Sequence, residues 1–412
     1  MDQKVRLRDH HYLQEMSLTS ILIFISVTLL GADKLNLSFG NAGIKLSLIP
    51  LALLFAILIL NKSISYSKKE ISYFSLLILG ALISFYNTSN IPISIGYVLW
   101  MCINYGIIYT SFRCSCLLFR PEKLINIYIY SFRLQIFLSL LLYPILSTED
   151  GRISLFYYEP SYFSMAAIPY ISFSLYKIFD QNIKTSKIDL FLILSLLFLT
   201  KSANLILIIL STLSIFFIST KKISFVQKIF SFIAITVALS VFYLIINNLN
   251  PHNLISYTLN NILNSDSKLD AILDRTGNRW PRLLLALQVS IDHFFIGVGP
   301  GNYRNYTDTF GSIYSISDIP AIFSPIGLPA VNIWLEVLAE NGILGLIGFS
   351  CIILITFKNI RKTPPHLATP LSCALLVFMI SLFFESSYLR LYFWAFLGLA
   401  NGIFLNVIRT QE

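Results

Sequence analysis

Long apolar runs separated by short charged loops dominate the chain. They fall at roughly 17–31, 45–60, 70–86, 91–112, 124–147, 160–179, 188–200, 202–220, 225–247, 343–358, 367–385 and 388–408. The runs are continuous and do not alternate with period two, so they read as helices of about bilayer length, not as barrel strands. The pattern predicts an all-α polytopic membrane protein with about twelve transmembrane helices. It excludes a soluble enzyme and an outer-membrane barrel. Near position 200, Lys201, Ser202 and Asn204 interrupt an otherwise apolar stretch. A tight hairpin between two spans explains them best.

The loops divide by charge. One set carries nineteen Lys/Arg: Lys4, Arg6 and Arg8, then triplets at 62–69, 113–123, 177–187, 221–228 and 358–362, and Arg409. The alternate set carries ten: Lys34, Lys45, Arg152, Lys201, Arg390 and five in residues 248–328. Cytoplasmic loops carry the excess of Lys and Arg, so the first set is read as cytoplasmic, with both termini inside. The first run follows basic residues as a signal peptide does. No small-x-small cleavage site follows it, and it reads as an uncleaved span. Residues 1–247 then form an N-terminal transmembrane bundle, 248–342 a large periplasmic loop with short amphipathic helices, and 343–412 three C-terminal spans.

Composition agrees. Charged residues are 12% and apolar residues 56% of 412, where an ordinary soluble domain is about 25% charged. The net charge of +9 is spread over many loops and makes no basic face for nucleic acid. None of the five cysteines lies in the long loop, so no disulfide staples it. Cys114 and Cys116 have the spacing of a metal half-site, but no second Cys/His pair stands nearby. No metal and no cofactor are expected.

Polar residues at the outer face carry the candidate chemistry. Arg133, in the middle of the fifth span, costs several kcal/mol unless paired or hydrated. It reads either as an anion site in a polar cavity or as half of a structural pair with Gln135 or a polar group of a neighbouring span. Glu159 precedes Pro160 at the start of the sixth span. It is a helix-dipole partner or a base at the membrane surface. Arg275, Arg279 and Arg282 crowd into eight residues of the long loop, where basic residues are otherwise scarce. They suit phosphate oxygens, lipid headgroups or a pair with Asp274. Trp280-Pro281 opens a short amphipathic helix ending near His293, and Gly297-Val298-Gly299-Pro300-Gly301 makes a compact turn. His252 and His293 read as structural. Arg304 and Tyr303 follow the turn, and Tyr303, Tyr306, Phe310 and Tyr314 suit sugar stacking or interfacial anchoring. Asn332, Glu336 and Glu340, four apart, share one helix face. They are a site rim or the wet face of an interfacial helix. Gly342 stops that helix, and Gly342, Gly345 and Gly348 allow close packing of the next span.

At these residues the chain resembles the O-antigen polymerase and O-antigen ligase superfamily. Three features match in order: Arg152 and Phe156 with Glu159-Pro160-Ser161-Tyr162-Phe163; Arg279-Trp280 with Gly297-Val298-Gly299-Pro300-Gly301-Asn302-Tyr303; and Asn332 through Glu340 with Gly342 and Gly345. The resemblance implies lipid-pyrophosphate sugars handled at the outer face of the bacterial inner membrane, with one large periplasmic loop. It implies arginines neutralising the leaving pyrophosphate, Arg279 first and Arg152 and Arg275 next, with Glu159 or Glu336 taking the acceptor's proton. Undecaprenyl-pyrophosphate-linked glycan, membrane lipids and a chain-length regulator are the expected partners. The family's ligases have a histidine where Val331 stands, and paired threonines where Leu346 and Ile347 stand. That favours a polymerase over a ligase of finished chains. A lipid-linked oligosaccharide flippase is the non-enzyme alternative.

The charge asymmetry makes a topological prediction. A reporter fused after residue 222 reads as cytoplasmic and one after residue 265 as periplasmic; the reverse at either place overturns the orientation.

Overall fold

The computed structural model describes residues 18–39, 42–148, 151–179, 187–219, 279–310, 327–385 and 388–411, with three positions within 233–241. Helix α1 spans Leu18–Leu29. A two-stranded antiparallel hairpin follows, β1 Asn36–Phe39 with β2 Ala42–Lys45, pairing Asn36 with Lys45. Helices α2 Leu48–Leu60 and α3 Lys68–Ile83 come next, α3 running on as a 3-10 turn to Asn87. Helix α4, Ile91–Ser115, contains a π-helical stretch at Asn104–Tyr109. It is followed by α5 Pro121–Leu141, α6 Pro160–Ala166, α7 Ile168–Phe179, α8 Lys187–Thr200 and α9 Ala203–Ser219. The rest are α10 Arg279–Asp292, α11 Tyr303–Phe310, α12 Ile333–Ile360, α13 Pro365–Ser381 and α14 Leu391–Gln411.

Local chemistry sets these boundaries. Proline stands in the first turn of α4, α5, α6 and α13, where its missing N–H costs nothing. Asn90 caps α4 by accepting the Ile93 N–H. The expected break near 200 is present: Lys201, with φ +44°, turns the chain between α8 and α9. The amphipathic helix expected from Trp280 to about His293 is α10, which buries Leu285, Ala286 and Val289 on one face.

Among the described residues the regular structure is helical but for the β1–β2 hairpin, which the apolar-run pattern did not predict. Its signature is short: Gly40-Asn41 between two four-residue arms. Five helices are long and apolar enough to cross a membrane: Lys68–Asn87, Ile91–Ser115, Pro121–Leu141, Ile333–Ile360 and Leu391–Thr410. Leu18–Leu29, Leu48–Leu60, Ala203–Ser219 and Pro365–Ser381 are apolar and shorter. The ninth expected span, 225–247, and most of the first part of the long loop lie outside the described residues.

Glycines bring the helices close. A Cβ on Gly80 of α3 would stand 2.4 Å from the Gly345 nitrogen, and one on Gly348 of α12 would stand 2.4 Å from the Leu77 nitrogen. Helices α3 and α12 therefore meet backbone to backbone, as the glycine spacing after Gly342 predicts. Polar side chains tie the loops into two groups. At one end, Asp33 takes ion pairs from Lys45 at 2.6 Å and Arg390 at 2.8 Å, and Lys34 donates to Ser154. At the other, buried Arg113 pairs with buried Glu70 at 2.9 Å, and His366 approaches Glu122 at 3.6 Å. The loops read as the low-Lys/Arg set thus meet one another, and so do loops of the high set.

This packing predicts an asymmetric response to one added methyl group. Gly348→Ala forces two backbones apart and lowers thermal stability by about 1–3 kcal/mol. Gly96→Ala, which meets nothing within 4 Å, stays neutral or gains up to about 1 kcal/mol from helix propensity. Melting of the two purified variants against the parent checks both.

Candidate functional site

The site is built where α12 breaks. Gly342 has φ +63°, and its Cβ would fall 2.4 Å from the Phe295 carbonyl oxygen. The break frees carbonyls at the end of the first half of α12, and such orphans need donors. The Gly297–Gly301 turn supplies them. Val298 N–H donates to Ala339 O at 2.8 Å, Gly299 N–H to Glu340 O at 3.0 Å, and Ile343 N–H returns to Phe294 O at 2.9 Å. Gly297, with φ +83°, fits against the Glu340 carbonyl only because it has no side chain. The turn's other face is held by α4 and the residues just before it: Asn87 donates to Gly297 O, and Ser94 to Pro300 O. Asn302 accepts from the Ser89 hydroxyl and the Asn90 N–H. Two motifs far apart in sequence are one clamp.

The clamp holds two carboxylates. Asn332 caps α12, accepting N–H groups of Trp334 at 2.9 Å and Leu335 at 3.2 Å. One and two turns on, Glu336 and Glu340 are both buried. Glu340 accepts the Tyr388 hydroxyl at 3.1 Å, and the backbone of Gly301 and Tyr303 lies beside its carboxylate. Among the described residues, Glu336 keeps a buried oxygen, Oε2, with no hydrogen-bond partner. The cations facing it are Arg304, Arg282 and Arg390. Buried polar atoms in folded proteins are rarely orphaned, and an orphan marks strain, an unseen ligand or catalytic work.

A second carboxylate group lies alongside. Glu385, just beyond α13 and 12% exposed, approaches the Arg279 guanidinium at 4.0 Å. Burial raises its carboxyl above the usual range and Glu159 adds to this, while Arg279, Arg282 and Arg390 oppose it. Arg390 donates to Asp33 at 2.8 Å and lies 3.9 Å over the Tyr162 ring. The main chain that carries it is pinned: Trp100 and Asn104 both donate to Leu389 O, and Trp394 donates to Tyr388 O. The site thus unites α10, α11, the first half of α12, Glu385, Tyr388 and Arg390, and the start of α6.

Residues 189–350 match the family model of O-Antigen ligase. The resemblance to the O-antigen polymerase and ligase superfamily therefore holds over that segment. The O-antigen ligase match contains Arg279, Arg282, Arg304, Glu336 and Glu340; Glu159, Glu385 and Arg390 stand outside it. No curated protein matches the chain.

The site residues expected from the sequence fall into three groups. Arg279, Arg282, Arg304, Tyr303, Asn332, Glu336 and Glu340 come together. Among them Arg282 is held in place, because its Nε and a terminal nitrogen both donate to the Pro329 carbonyl. Tyr303 is buried and donates to Arg282 O. Glu159 reaches the rim as the residue capping α6, exposed and accepting from the Ser161 hydroxyl at 3.2 Å. Two others lie elsewhere. Arg152 donates to Thr200 O at the α8–α9 turn. Arg133 is engaged in a fork with Asp189, at 2.7 and 2.8 Å, with Tyr170 also donating to that carboxylate. Of the two readings open for Arg133, the observed arrangement is the pair with a neighbouring span. Arg275 and Asp274 lie outside the described residues. Cys114 and Cys116 are buried thiols.

Sequence reasoning passed over Glu385, Arg390 and Tyr388. The available signal was their position: they break the apolar stretch between the last two spans on the low-Lys/Arg side.

His293 gives a pH prediction. Its imidazole meets the Tyr306 hydroxyl at 2.6 Å, and burial lowers its proton affinity from the ordinary 6.5. A depressed histidine stabilises the fold above its ordinary value, and that contribution is lost as pH falls through the lowered one. Parent and His293→Gln are therefore expected to differ in melting temperature at pH 7.5 and to converge by pH 5. Parallel curves across that window overturn the assignment.

Proposed function

We propose that this protein is a membrane glycosyltransferase that polymerises undecaprenyl-pyrophosphate-linked oligosaccharide repeats. The product would be O-antigen, capsule or exopolysaccharide. What carries the reading is the orphaned oxygen of Glu336, buried among arginines and within the segment that matches the O-antigen ligase family. That match supports an O-antigen ligase- or polymerase-type membrane function, glycosyl-transfer chemistry and lipid-linked glycan substrates. The apolar helices agree with a bacterial membrane protein. Twelve spans, both termini cytoplasmic and a periplasmic site complete the proposal. The meeting of the low-Lys/Arg loops around Asp33 and Arg390 supports placing the site on that face.

In this reading a hydroxyl of the incoming repeat attacks C1 of the sugar at the reducing end of the growing glycan. The C1–O bond breaks and the lipid pyrophosphate leaves with the electron pair. Glu336 takes the hydroxyl's proton; Glu159, at the rim, is the alternative base. Positive charge aimed at the leaving group stabilises the charge that develops there. Arg279, the most exposed of the arginines beside Glu385, is the first choice, and Arg275 adjoins it in sequence. Glu340, bonded by the Tyr388 hydroxyl and set against the backbone of the glycine turn, holds the clamp's shape.

The polymerase reading rests on Val331, where the family's ligases have histidine; Val331 is buried here beside the Asn332 cap. The family's own description, O-Antigen ligase, favours the second reading, transfer of a finished chain to a lipid core or protein. A flippase would line its spans with charge available to cargo. The span arginine Arg133 is instead engaged by Asp189.

Purified protein given only lipid-pyrophosphate-linked repeats is expected to make a ladder of longer lipid-linked chains. Glu336→Gln, near-isosteric, is expected to slow it by about 10²–10⁴-fold, the usual worth of a positioned base. Repeats that stay single until a lipid core is added would replace polymerase with ligase. Repeats that cross a vesicle unchanged in size would indicate a flippase.

A further inference from the structure

The arginine cluster already holds an anion of its own. Glu385 is nearly buried, yet its carboxylate stands 4.0 Å from a guanidinium that is 57% exposed. At that separation the contact is an approach without a fork, unlike the 2.7 Å pair of Arg133 with Asp189 or the 2.8 Å pair of Arg390 with Asp33. An exposed, loosely matched pair adds little stability. Arg390 is the reverse case: clamped by Asp33, stacked on Tyr162, and with a buried Nε–H that donates to no group among the described residues. One wall of the cluster is rigid and under-used, and the other is loose and open. The carboxylate beside them is planar and anionic, and it competes for the same donors as a phosphate oxygen.

We propose that Glu385 is a placeholder for the diphosphate group of the ligand, engaging Arg279 until a diphosphate enters and displaces it. The inference rests on the glycosyl-transfer reading for the identity of the ligand, but not for the existence of the anion site. The placeholder makes each phosphodiester of the surrounding lipids compete with Glu385 for Arg279, and a single phosphate gains little by exchanging one loosely matched contact for another. A diphosphate, with two phosphates to share between Arg279 and the Arg390 side of the cluster, gains more. Selectivity for diphosphate over monophosphate headgroups then follows from a self-supplied competitor. No bond is made or broken in this exchange; one anion replaces another on the same donors.

The test is binding of inorganic pyrophosphate to the full-length protein in phosphatidylcholine nanodiscs, measured by calorimetry for the parent, Glu385→Gln, Arg279→Ala and the double variant. Removing a competing surface-type pair and a nearby like charge is expected to tighten pyrophosphate binding by about 5- to 10-fold in Glu385→Gln. In the Arg279→Ala background the same change is expected to gain nothing, since the placeholder acts through Arg279. A gain that persists without Arg279 is general charge repulsion and overturns the proposal. Unchanged affinity with lost polymer formation makes Glu385 a catalytic base and also overturns it. Discs doped with phosphatidylglycerol separate the two phosphate sources. The parent's pyrophosphate affinity is expected to stay the same, whereas Glu385→Gln loses most of its gain to the headgroups. Equal competition in both proteins overturns the selectivity role. If the binding gain holds while no ladder forms from lipid-linked repeats, the anion site stands and the polymerase reading falls.

Discussion

The site depends on how the backbone is satisfied at one break. A helix broken at Gly342 leaves carbonyls without donors in a region where solvent cannot serve them, and each unmet group costs several kcal/mol. The Gly297–Gly301 turn meets that need by presenting its own N–H groups to Ala339 and Glu340. Contact this close requires residues without Cβ atoms on both sides, hence glycine at 297 and 342. Everything polar nearby is positioned as a consequence. Docking the turn brings the backbone of Gly301 and Tyr303 beside the Glu340 carboxylate, which the Tyr388 hydroxyl also reaches. It sets α10 and α11 beside the first half of α12, so that Arg282 and Arg304 face Glu336.

Local signals were legible because they are made by neighbours in sequence. Proline in a first turn, Lys201 and Ser202 between two apolar runs, the amphipathic period from Arg279 to Asp292, and glycine after a polar helix each carry their cause within a few residues. The glycine-rich turn and the Asn332–Gly342 stretch were also recognisable separately. That they form one clamp was not, because hydrogen bonds between positions some forty residues apart leave no periodicity. The partners of the charged residues were hidden for the same reason. Nothing around Arg133 names Asp189, and nothing around Arg390 names Asp33. The β1–β2 hairpin escaped because two four-residue arms are too short to stand out beside runs of bilayer length.

The buried charges sort by how fully they are satisfied. Arg133 with Asp189 and Arg113 with Glu70 are close pairs linking different helices, and Ser65 and Tyr170 add further hydrogen bonds. Breaking such a pair leaves an uncompensated charge, at about 3–5 kcal/mol. Such close pairing is what a scaffold needs and leaves little over for a ligand. Around Glu336 the contacts are looser: among the described residues one of its carboxylate oxygens accepts no hydrogen bond, and Arg279 only approaches Glu385. The fold could have closed these contacts as it closed the others, since the donors and acceptors lie in the same cluster. Leaving them unmet costs stability, and such local costs are expected at a ligand site of the kind proposed for this cluster. Closeness of pairing, more than burial or charge alone, therefore distinguishes the forked Arg133–Asp189 pair from the looser cluster around Glu336 on which the proposed function rests.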